Sequence, residues 1–219
     1  MPPKVKICCI ASLAEARLAV EHGAAALGLV SAMPSGPGVI DDARIAEIAA
    51  AVPLPTETFL LTARSDARSI AAQQAAAGTT TLQLVDHVPH DELRRLRTLC
   101  PGVRLVQVIH VVGTQSVDEA VAAAPFVDAL LLDSGNPALA VKELGGTGRT
   151  HDWRLSRRIR DQVAPLPLYL AGGLHAGNVA EAIDAVRPYG LDLCSRVRTD
   201  GRLDPARLAA FMAVVASAG

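Results

Sequence analysis

Two cysteines stand side by side in the stretch KICCIAS at residues 6–12, and a carboxylate closes the apolar run ALLLD at Asp133. A thiol and a carboxylate on opposite sides of a small pocket can work as general base and general acid. Taken alone, Cys8 reads more readily as packing, because a buried cysteine behaves as a small hydrophobe. Asp133 is the sharper signal, since a buried carboxylate is costly without a partner or a purpose; capping the following loop is its other use. Gly172 and Gly173 in LAGGL, with Ser195 and Arg196 in CSRV, could cradle an anion. Glycines let backbone N–H groups approach closely and a following helix N-terminus adds its dipole, although a glycine pair also suits a tight turn.

The four cysteines, Cys8, Cys9, Cys100 and Cys194, show no CxxC spacing and no histidine at ligand spacing, so no metal site is expected. Neighbouring strand residues point to opposite faces, so Cys8 and Cys9 are not expected to pair, and in a reducing compartment all four are expected to be free thiols. The chain has 219 residues, half of them hydrophobic, and a formal net charge of −1. That predicts one globular domain over residues 1–219 and argues against nucleic acid, which demands a clustered positive excess. Without a run of about 18 apolar residues or a secretory leader, a cytoplasmic protein with no membrane contact is expected. Its oligomeric state is left open between monomer and homodimer.

What must position these groups is a series of short β-branched runs alternating with helical segments. Strands are predicted over Val5–Ile10, Ala25–Val30, Thr58–Thr62, Thr81–Asp86, Arg104–Val111, Ala129–Asp133, Leu168–Ala171 and Leu191–Ser195. Helices are predicted over Ser12–His22, Asp41–Val52, Ser65–Ala77, His90–Leu99, Ser116–Ala124, Trp153–Val163, Asn178–Val186 and Pro205–Ala216. Ser12 and Glu15 read as a capping box for the first helix. Eight strand–helix units with no spare segment describe a closed (β/α)8 TIM barrel, with chemistry at the C-terminal strand ends and phosphate after strands seven and eight. An open doubly wound sheet fits less well, as no GxGxxG follows strand one. Strand parity puts Lys6 with Cys8, and Ala129 and Leu131 with Asp133, so inward faces would bring thiol and carboxylate together across the mouth.

The ordered motifs VKICCI, GAAALGLV, LLLDS with GGTGRTHDW, YLAGGLHAGNVAEAI and LDLCSRV resemble those of the phosphoribosylanthranilate isomerase family of tryptophan biosynthesis, over nearly the whole chain. The resemblance implies a cofactor-free Amadori rearrangement of a phosphorylated sugar, a 5-phosphoribosyl aminoaldose, to an aminoketose. It implies Cys8 as the base at C2′, Asp133 as the acid at the ring oxygen, Gly172, Gly173, Ser195 and Arg196 at the phosphate, and Gly146 of GGTG at the substrate. Cys9 stands where the family has glycine. Pro37 stands where the family places an arginine on the anthranilate carboxylate, Val85 where it has histidine, and Arg196 where it has glycine. Arg64, just past strand three, is the favoured substitute for the missing arginine. Three readings stay open: a divergent isomerase of this family, a relative acting on another phosphorylated sugar, and a non-catalytic barrel binding a phosphometabolite.

Overall fold

A strand that is apolar on both faces needs neighbours on either side and cover above and below. The computed structural model, which describes residues 2–218, provides both. Parallel strands β1 (Lys4–Ile7), β2 (Ala26–Val30), β3 (Glu57–Thr62), β4 (Thr81–Leu84), β5 (Arg104–His110), β6 (Ala129–Asp133), β7 (Leu168–Leu170) and β8 (Gly190–Leu193) form a barrel that closes where β8 pairs with β1. Helices α1 (Leu13–Glu21), α2 (Asp42–Ala51), α3 (Ala67–Ala77), α4 (His90–Leu99), α5 (Gln115–Ala123), α6 (Trp153–Val163), α7 (Val179–Val186) and α8 (Pro205–Ser217) follow the strands in turn. The expected (β/α)8 TIM barrel is the fold, and α4, β6 and α6 run over the predicted residues.

Alternation along each strand separates two cores. One parity, including Phe59, Leu61, Val106, Val108, Leu131 and Tyr169, fills the barrel. The other, including Ile7, Leu29, Leu60, Leu130 and Leu170, packs under the helices. The capping box forms in a shifted way. The Ser12 hydroxyl accepts from the Glu15 N–H, while the Glu15 carboxylate reaches back to the N–H of Ala11 rather than of Ser12.

Two expectations are corrected. The chain does have a spare segment: after β8 a short 3-10 turn leads into an antiparallel hairpin, β9 (Arg198–Thr199) and β10 (Arg202–Leu203), with Asp200 and Gly201 both at positive φ. The thiols are not all free either. Cys9 and Cys194 are joined in a disulfide, their Cα atoms 5.9 Å apart, leaving Cys8 and Cys100 as free thiols. Barrel closure is the physical reason, because it sets the end of β8 beside the end of β1, bringing together residues 185 apart in sequence. Mass spectrometry of unreduced digests is expected to find the peptides of Cys9 and Cys194 linked. Losing so large a closed loop costs about 2–5 kcal/mol, so Cys194→Ser is expected to lower the Tm of the oxidised protein by roughly 5–15 °C.

Candidate active site

The C-terminal strand ends surround a cavity of about 680 Å³ counted to its open mouth. Cys8 and Asp133 both line it, as their strand parities require. Cys8 is 6% exposed, and its N–H donates to Leu193 O at 2.7 Å, which ties it to β8. Beneath it, the fully buried Lys6 ammonium donates to Asp192 Oδ1 at 2.8 Å. A Cβ added at Gly28 on β2 would stand 2.9 Å from Cys8 Sγ and 3.0 Å from Lys6 Nζ, so the missing side chain is what makes room for both.

The charges of this group are set by burial against partners. Burial pushes the Cys8 thiol up to about 11, with the Asp192 and Asp133 carboxylates adding to the rise and the Lys6 ammonium and the Cys9 N–H opposing it. Burial also raises the Asp192 carboxyl, with Lys6 opposing. For Lys6, burial works against the charge, but the attraction of Asp192 and Cys8 outweighs it and lifts the ammonium above the ordinary lysine range.

Asp133 accepts from the N–H of Ser134 at 2.7 Å, and the long loop after β6 folds back over it. Gly145 passes so close that a Cβ there would lie 2.7 Å from Asp133 Oδ2. Farther along, Thr147 Oγ1 pairs with Ser134 Oγ at 2.6 Å, which fastens the GGTG run above β6. Gly172 and Gly173 also meet this loop. A Cβ at Gly173 would fall 2.7 Å from the Arg149 carbonyl carbon, so the pair is needed for backbone packing whatever ligand binds.

Gly146, Gly172, Gly173, Ser195 and Arg196 all line the cavity with Cys8 and Asp133. Arg64 does not join them: it is exposed, outside the cavity wall, with its charge acting on Asp66. Arg196, in contrast, lines the cavity. Pro37 lines the cavity and packs on Gly146, where a Cβ would be 2.5 Å from Pro37 Cδ, so the loops after β2 and β6 meet at this position. Val85 is buried in the inner core, its carbonyl hydrogen-bonded to His110 Nε2 at 3.0 Å.

Sequence reading missed the residues that hold β1 in place. Arg198, from β9, donates to the carbonyls of Cys8 at 3.0 Å and Cys9 at 2.6 Å. It also pairs with Glu15 at 2.8 Å. Burial alone would raise the Glu15 carboxyl, but the N–H groups of Leu203 and Ala11 together with Arg198 hold it below the ordinary glutamate range. Asp192 was missed too, although a lone carboxylate inside GLDLC was the available signal. No cluster suited to a metal ion occurs among the described residues, and no described helix is long and apolar enough to cross a membrane.

The cavity brings a thiol, a carboxylate and two glycine-rich loops together around one space, an arrangement that suits acid–base chemistry on a small molecule. A family model described as N-(5'phosphoribosyl)anthranilate (PRA) isomerase matches residues 5–214. The chain is 37% identical to N-(5'-phosphoribosyl)anthranilate isomerase of Acidithiobacillus ferrooxidans, with 97% of each chain covered. It is 35% identical to the protein of that name from Methanocella arvoryzae, covering 94% of this chain and 93% of the relative. The crystal structure of phosphoribosyl anthranilate isomerase from Thermotoga maritima superposes with a TM-score of 0.84 at 26% identity, over 98% of this chain and 99% of the other.

Gly28→Ala tests the crowding around Cys8. The added methyl has to displace Cys8 or Lys6, and overpacking of this kind costs about 1–3 kcal/mol. Urea denaturation is expected to show a loss of that size; unchanged stability would mean the two side chains are not confined by β2.

Proposed function

The chain belongs to the N-(5'-phosphoribosyl)anthranilate isomerase family, and from that membership we propose that it converts phosphoribosylanthranilate to the aminoketose, with Cys8 as base and Asp133 as acid. Members of this family are aldose–ketose isomerases of tryptophan biosynthesis, and this chain is one of them. The shared cavity of Cys8 and Asp133 is the observation that carries the finer reading.

In the proposed reaction Asp133 gives a proton to the ribose ring oxygen, the C1′–O bond breaks, and the nitrogen lone pair closes an iminium. That cation acidifies C2′–H, whose proton passes to Cys8 as its thiolate, and the freed electron pair forms the enamine that becomes the C2′ ketone. Backbone N–H groups near Gly172, Gly173 and Ser195, with the Arg196 guanidinium, bind the phosphate; Gly146 borders the sugar. The loop over Asp133 keeps water from the acid and the opened sugar.

Specificity is the separate question, because Pro37 occupies the position of the family's carboxylate-binding arginine. A hydrogen bond to a charged group is worth about 1.5–3 kcal/mol, so an unaided anthranilate carboxylate would weaken binding by about tenfold or more. The proline at position 37, which lines the cavity and cannot bind a carboxylate, favours a second reading, in which the same proton transfers act on a different sugar phosphate.

Cys8→Ser and Asp133→Asn are each expected to lower kcat for phosphoribosylanthranilate by about 10²–10⁴-fold without unfolding the protein. Cys9→Gly, measured under reducing conditions, is expected to leave kcat nearly unchanged. Retained turnover in Cys8→Ser would remove the thiol from the mechanism. Rescue of a tryptophan auxotroph lacking this isomerase decides between substrates. Pro37→Arg is expected to lower KM for phosphoribosylanthranilate; negligible turnover in both the parent and this variant, with both catalytic groups intact, would assign the site to another sugar phosphate.

A further inference from the structure

Burying a lysine inside a barrel is expensive, and a buried ion pair can often be replaced by apolar residues with no loss of stability. Lys6 is nevertheless fully buried, with its ammonium on Asp192 at 2.8 Å and 5.3 Å from the centre of the Phe59 ring. Asp192 lines the cavity floor and Lys6 lies behind it, so the pair stands at the catalytic end of the barrel rather than at its base. At the base, the exposed and half-exposed Lys4 and Arg104 pair with Glu57 in contact with water.

Cys8 Sγ and Lys6 Nζ flank the empty space at Gly28, which places them no more than about 6 Å apart, the range in which an opposite charge favours ionisation. The polar and aromatic side chains on the same inward parity include Phe59 from β3, Gln83 from β4, Asp133 from β6 and Tyr169 from β7. Their titratable members, Asp133 and Tyr169, are neutral or negative and cannot balance a thiolate. Deprotonating Cys8 therefore adds a negative charge near two acidic side chains, with one ammonium facing it.

We propose that Lys6 is a positioning residue whose ammonium stabilises the Cys8 thiolate as it forms, and that Asp192 fixes the ammonium where it can do so. The inference rests on Cys8 being the base. Asp192 does not accept the substrate proton; its part is to hold the Lys6 ammonium in place, aimed at the sulfur. Gly28 completes the arrangement by keeping side-chain atoms out of the gap between the two.

The test follows alkylation of Cys8 by iodoacetamide, read on its own peptide by mass spectrometry from pH 8 to 11 in the absence of substrate. Lys6→Met is expected to move the profile to higher pH by about one unit, so that alkylation at pH 9 slows about tenfold, while Lys6→Arg keeps it near the parent. A merely structural Lys6 would scale the rate equally at every pH. Should Lys6→Met fail to fold, Lys6→Met/Asp192→Asn leaves a neutral pair of similar size. Its shift is expected in the same direction and smaller, because the opposing Asp192 charge goes as well. An unshifted or lowered profile in a folded variant overturns the inference. Retained turnover in Cys8→Ser beside a shifted profile would overturn the base assignment and leave the ion pair's action on the thiol standing.

Discussion

The hydrogen bonds between β8 and β1 are the constraint on which the rest of the site depends. Their register sets Lys6 opposite Asp192 and Ile7 opposite Leu193, so one ladder produces the buried ion pair and anchors Cys8 through the Leu193 carbonyl. Side chains alternate along a strand with a period of two. A slip of one residue would therefore turn Asp192 out under the helices and leave Lys6 buried without a counter-charge. Arg198 and Glu15 reinforce the same seam from outside, holding the carbonyls of Cys8 and Cys9 from the segment that follows β8.

Much of this was legible in the sequence, because helices and buried strands carry their period in their residues. The limits of β6 and α6 could be read from ALLLD and from the Trp153 turn. The end of β1 could not. ICCI continues an apolar run past Ile7, but Cys9 adopts φ +61, a left-handed conformation that ends the strand and that no pattern of hydrophobicity announces. The β9–β10 hairpin was missed because two-residue strands have no period, although Asp200–Gly201 is a strong hairpin signal in its own right. Parity brought Lys6 and Cys8 to one face. Their partner Asp192 lay 186 residues away along the chain from Lys6, and only the closing register could join them.

Residues that looked like ligand contacts also have work in the scaffold. Gly172 and Gly173 admit the Arg149–Thr150 backbone, and Pro37 seats the loop after β2 on Gly146. The site's shape is thus built by contacts between loops, and a change at one wall is transmitted to the next. A change of side chain at position 37 would alter both the chemistry of the wall and the way the long β6 loop is carried over the carboxylate.

The Cys9–Cys194 bond gives the molecule a topology that its linear sequence does not have. It turns all but the two ends of the chain into a covalent ring with two short tails. A single peptide-bond cut anywhere inside the ring, for example in the half-exposed loop over Asp133, would open it without dividing it: both fragments would remain one molecule until the sulfurs were reduced. For a barrel whose working end is covered by its longest loop, this separates damage to the cover from loss of the vessel.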